Sequence, residues 1–137
     1  MTARNTRIVL TSRDLQRLEA LLGELPPNSF PGKTALEAEL ERANIVEPEQ
    51  IPPDVVTMNS TVRFALTDSG KEFSLTLAYP KDAGHSDRIS VLAPVGSALL
   101  GLSVGDELAW PTPGGGTATV RVIAVLYQPE RSGELHR

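Results

Sequence analysis

Three prolines fall within the six residues from Pro48 to Pro53. Proline fixes φ, lacks an N–H and steers the residue before it away from helix. Neither a helix nor a central strand runs through such a segment. Ahead of it, leucines recur every three or four positions. Behind it, apolar residues alternate. The chain is therefore expected to be α+β, a helical unit followed by a sheet unit. Residues 1–46 form the helical part, 47–53 an extended, stiff linker, 54–130 a β-rich domain with one short helix, and 131–137 a flexible tail.

In the first part, Ile8-Val9-Leu10 is a short β-prone run. Thr11 and Ser12 offer oxygens for a helix N-cap, and Asp14 adds a favourable charge in the first turn. Leu15, Leu18 and Leu22 share one helical face, and Gly23 with Pro26-Pro27 ends the helix. A second helix opens on a capping box, Thr34 with Glu37, and carries Leu36, Leu40 and Ala43 as its apolar stripe. Two helices of about 12 residues, each about 18 Å long, are expected to pack as a short antiparallel hairpin or coiled coil whose leucines form the hairpin's own core.

In the second part, Val56, Met58, Ser60, Val62, Phe64 and Leu66 mark one face of a long strand. Phe73, Leu75, Leu77 and Tyr79 mark its hairpin partner across the turn Thr67–Gly70. Ile89–Leu92 reads as a third strand. Pro94 opens a short helix with Ala98-Leu99-Leu100 on its apolar face, and Gly101 and Gly105 break it. Glu107–Trp110 and Thr117–Tyr127 complete the sheet. The last strand is apolar on both faces and so is expected to be interior.

Composition narrows the function. Among 137 residues there is no cysteine, which excludes thiolate zinc sites, disulfides and thiol catalysis. The net charge of -4, with Lys and Arg scattered among more numerous acids, disfavours direct nucleic-acid binding. No apolar run approaches the ~20 residues of a membrane span. Met1–Arg7 is basic but lacks the apolar run of a secretory leader. The expected location is the cytoplasm, and no membrane partner is expected.

Four motifs come in a telling order: Met58-Asn59-Ser60, then Ala93-Pro94 with Ala98-Leu99-Leu100-Gly101, then Val104-Gly105-Asp106, then Thr112-Pro113-Gly114-Gly115. Together they resemble the C-terminal domain of the bacterial Gre transcript-cleavage factors over roughly Val55–Tyr127. The resemblance implies an FKBP-like fold for that domain. A second resemblance covers nearly the whole chain. Asp54–Ser60, Ala93–Leu102 and Tyr127-Gln128-Pro129-Glu130 are similar to the Rnk proteins, regulators of nucleoside diphosphate kinase. Those are Gre-domain proteins with a shortened helical hairpin.

The resemblance implies RNA polymerase as partner, docked through the rim helices of its large subunit at the secondary channel, with DNA reached only through the polymerase. Carried over residue by residue, the contact is Val91, Leu92, Ala93 and Pro94. Gre factors usually carry polar residues where Leu92 and Ala93 stand. Gre factors also place two acids at the hairpin tip to help hold catalytic Mg²⁺, which prefers hard oxygen ligands. Here the tip, Glu24–Pro31, holds one acid, Glu24, and exposes Phe30 as a possible contact. Transcript-cleavage stimulation is therefore not expected, nor is any metal or cofactor. The expected protein is a monomeric, non-enzymatic regulator.

Other readings are weaker. An FKBP-like peptidyl-prolyl isomerase needs an aromatic-lined pocket, and the chain is 4% aromatic. A generic interaction module for another protein stays open. His85-Ser86-Asp87 are sequence neighbours, whereas a triad converges in space. Gly114-Gly115-Gly116 lacks the Lys-Ser or Lys-Thr of a phosphate loop and reads as a hairpin turn.

Overall fold

A computed structural model describes residues 8–26, 33–67, 69–84, 86–111 and 116–133. The described chain opens with strand β1 (Val9–Thr11). Thr11 then caps helix α1 (Ser12–Gly23): its Oγ1 accepts the Asp14 N–H at 3.0 Å, satisfying an amide that the first helical turn leaves unpaired. Helix α2 spans Lys33–Arg42. Thr34 stands inside it as the second residue, not at its cap. Glu37 accepts instead from Lys33 Nζ at 2.9 Å, an i,i+4 pair of about 0.3–0.5 kcal/mol.

Strand β2 (Asn44–Val46) pairs in parallel with β1, Leu10 opposite Ile45. A parallel pair needs a long crossover, and the two helices supply it. The proline-rich segment is not simply extended: Pro48–Gln50 forms one 3-10 turn with proline at its start, where the missing N–H does no harm.

The remaining strands are β3 (Thr61–Leu66), β4 (Lys71–Ala78), β5 (Arg88–Ser90), β6 (Glu107–Pro111) and β7 (Thr117–Tyr127). They form a five-stranded sheet in the order β5-β4-β3-β7-β6. Neighbours are antiparallel except β4 and β5, which run parallel. Helix α3 (Pro94–Leu99) packs on β5, β6 and β7. Strand β7 is interior, as expected. Its apolar residues fall on both faces because its register against β3 slips between Thr61 and Val62 and again between Arg63 and Phe64. Each bulge inverts which positions point inward, so Val120 and Val122 are buried and then Val125.

Two strand boundaries differ from the periodic expectation. The first long strand begins at Thr61, not Val56. Val56, Met58 and Ser60 are buried, but on a turn: Asn59 has φ 68°, the Ser60 N–H donates to Thr57 O at 3.0 Å, and the Thr57 N–H donates to Ser60 Oγ at 3.0 Å. The third strand ends at Ser90, because Leu92 N–H turns back to Ser90 Oγ and Ala93 N–H to Ser90 O, each at 3.0 Å.

The helices do not keep a core of their own. Leu18, Leu22, Leu36 and Leu40 join Met58, Phe64, Leu77 and Leu99 in one buried cluster. Strand β1 is sewn to the sheet part, with the Val9 N–H donating to Gly101 O at 3.1 Å. Gly101 has φ +80°, and a Cβ there would sit 2.7 Å from Ile8 Cβ, so glycine is required twice over. The segment after β7 does not fray at its start. Gln128 is buried and its Nε2 donates to Pro52 O and Val55 O at 2.9 and 2.8 Å. Arg131 donates to Pro53 O and Val125 O.

Candidate functional site

The strand-to-helix loop joins β5 to α3. Val91 is wholly buried: its N–H donates to Ala78 O at 2.9 Å, and its carbonyl accepts from Ser97 Oγ at 2.6 Å. Leu92, Ala93 and Pro94 are each partly exposed. Of the four expected contact residues, three therefore offer side-chain surface and Val91 anchors them. Gly96 lies directly behind, and a Cβ there would run into the Ser90 carbonyl oxygen. The loop's amides are thus tied to Ser90 and α3 sits close beneath it, so it is held in one shape before any partner arrives.

Glu24 is exposed and caps α1, its N–H donating to Leu21 O at 3.2 Å. Phe30 and His85 lie outside the described residues. Among the described residues no three His, Cys, Asp or Glu side chains cluster as a metal site. A cavity of about 710 Å³ opens between α1 and the end of β4, lined by Arg17, Leu21, Glu24, Asn59, Tyr79 and Lys81 among others. Among the described lining residues Tyr79 is the one aromatic. Two acids, Glu24 and Asp82, and two bases, Arg17 and Lys81, are among the lining residues.

A second cluster, which no motif in the sequence marks, lies where α1 meets the sheet part. Asp14 is 2% exposed, and its Oδ2 accepts the Met58 N–H at 3.1 Å across the junction of α1 with the sheet part. Beside it, Thr57 Oγ1 donates to Glu130 Oε1 at 2.7 Å. Burial, with Glu130 nearby, pushes the Asp14 carboxyl up to about 7, against the Met58 bond and the charges of Arg17 and Arg13. Burial and the Asp14 charge raise the neighbouring Tyr79 hydroxyl as well. One signal was available: Asp14, Leu18 and Leu22 stand at i, i+4 and i+8, which places the acid on the buried stripe.

Comparison with known proteins follows the same division of the chain. The family profile "Transcription elongation factor, GreA/GreB, C-term" matches residues 51–127, and the profile "Rnk N-terminus" matches residues 6–46. The chain belongs to the Rnk branch of the Gre family. It is 43% identical over 128 residues to the regulator of nucleoside diphosphate kinase of Escherichia coli K12, a match covering 93% of this chain and 94% of that protein. Similarity to the transcription elongation factor GreA of Syntrophus aciditrophicus is 35% over 95 residues, covering 69% of this chain and 58% of that factor. The solved structure of a prokaryotic transcription elongation factor GreA/GreB from Nitrosomonas europaea is 59% identical, with a TM-score of 0.71 and coverage of 90% of this chain and 100% of that one. Among the described residues no helix of this Rnk-type chain is long and apolar enough to cross a membrane.

Proposed function

We propose that this chain is a non-enzymatic transcription regulator that binds RNA polymerase beside its secondary channel, on the rim helices of the large subunit, and does not stimulate transcript cleavage. One observation carries the reading: on the sheet part of a Gre-family chain, Leu92, Ala93 and Pro94 stand partly exposed on a loop tied to Ser90. Val91 fixes that loop from below, and the three exposed residues make an apolar contact.

The absence of cleavage follows from reach and charge. Helix α1 has 12 residues, about 18 Å at 1.5 Å per residue. The residues from Pro26 to Gly32 contain no acid, leaving Glu24 alone. A single carboxylate is a poor magnesium site. In this reading α1 and α2 form a short antiparallel hairpin over residues 1–46, and residues 54–130 form an FKBP-like domain. The protein acts as a cytoplasmic monomer and touches DNA only through the polymerase. The name shared by its Rnk relatives then describes an effect on kinase expression. The isomerase reading is not favoured, since among the described lining residues Tyr79 is the one aromatic available to such a pocket.

The test is binding of the purified protein to core RNA polymerase, with a Gre factor as competitor and a transcript-cleavage assay in parallel. The reading expects displaceable binding without cleavage. Stimulated cleavage would refute it.

A further inference from the structure

Asp14 and Glu130 grip consecutive residues of one turn. Asp14 reaches from α1 to the Met58 N–H, and Glu130 reaches from the segment after β7 to the Thr57 hydroxyl. The turn is closed on itself by Thr57 and Ser60, whose hydroxyls are 2.8 Å apart. Asn59 between them takes φ 68°, and its N–H donates to Leu77 O at 2.7 Å. The turn is therefore closed on the sheet side, and through Asp14 helix α1 bonds to its backbone.

The groups facing Asp14 come from each neighbouring element. Arg13 and Arg17 lie on α1 itself, Glu130 on the segment after β7, and Tyr79 at the end of β4. An ionised Asp14 would stand in a buried site beside a second acid, and among the described residues the backbone N–H bonded to it is that of Met58. Carboxylates in such surroundings keep their proton or leave the site. The carboxyl is pushed up to about 7, mainly by burial, so its proton comes and goes near neutrality.

We propose that Asp14 is a proton-operated latch: protonated, it holds α1 on the Thr57–Ser60 turn, and ionised, it lets that junction open. The latch concerns how the two parts of this chain are joined. It stands or falls independently of which partner the Leu92–Pro94 loop meets.

Two measurements on the full chain test it. The first is a carbon-13 NMR titration of the Asp14 carboxyl. The second is amide hydrogen exchange of Met58 and of α1 at pH 6 and pH 8, corrected for intrinsic exchange, in the wild type and in Asp14→Asn. The carboxyl is expected to titrate near neutrality. An opened junction exposes Asp14 to water, where its ordinary pKa is 3.8. The opening equilibrium should then rise on the order of tenfold from pH 6 to pH 8. Asp14→Asn should open equally at both. Glu130→Gln removes the neighbouring charge and should lower the Asp14 midpoint, which keeps the test available should Asp14→Asn fail to fold. A carboxyl titrating near 4 would overturn the latch. So would wild-type opening that ignores pH, or the same rise in Asp14→Asn.

Discussion

At Gly96 the chain has no room for a side chain, because a Cβ would meet the carbonyl oxygen of Ser90. Gly96→Ala should therefore push α3 off β5 and lower stability by at least about 2 kcal/mol, measured by urea unfolding. A change within ~0.5 kcal/mol would mean the loop yields easily. At this scale the sequence was partly legible. Pro94 as a helix start and Gly101 as its break could be read from propensity alone. The role of Asp14 could not. An acid near a helix N-terminus has a ready local explanation in the helix dipole, and only its i,i+4 relation to Leu18 pointed inward. Gln128 was obscured in the same way: a glutamine past the last strand gives no sign that it will reach the carbonyls of Pro52 and Val55.

Among the elements, α1 depends on Thr11, the single residue that both ends β1 and caps the helix. Thr11→Ala should cost about 1 kcal/mol, read as a lower urea midpoint at unchanged m-value. A changed m-value would point instead to loosening of the whole β1–β2 pair. Helices α1 and α2 and strands β4, β6 and β7 were legible because hydrophobic period and turn residues agree there. Strand β2 was not, since three residues with an exposed isoleucine carry no period. The Val56–Ser60 turn misled for a physical reason: Val56, Met58 and Ser60 stand at a strand's spacing, but a turn closed by Thr57 and Ser60 buries them together with Thr57 between.

As a whole, the molecule has one core that runs from the helices into the sheet. Leu36 is fully buried on α2, and Leu36→Ala should cost about 2–5 kcal/mol. Helical and near-ultraviolet signals should still be lost in one coincident transition. Two separated transitions would show that the helical part has a core of its own, as the leucine spacing first suggested. Asp14 adds a pH dependence whose sign is fixed. Its folded pKa, about 7, lies above the ordinary 3.8. Its contribution is therefore fully present below pH 3.8 and is lost as pH rises towards 7, by at most about 1.4 kcal/mol per unit. Urea unfolding at pH 5, 6, 7 and 8 should show this decline flattening above 7, and Asp14→Asn should abolish it. A wild-type profile that rises across the same range would contradict the burial of this carboxyl.

The most direct test of the central claim is equilibrium binding of the purified chain to core RNA polymerase, with and without a Gre factor as competitor. Binding that the competitor displaces is predicted, together with a loss of about tenfold or more for Leu92→Asp at unchanged fold. No binding at micromolar concentrations would contradict it, as would binding that neither the competitor nor Leu92→Asp affects.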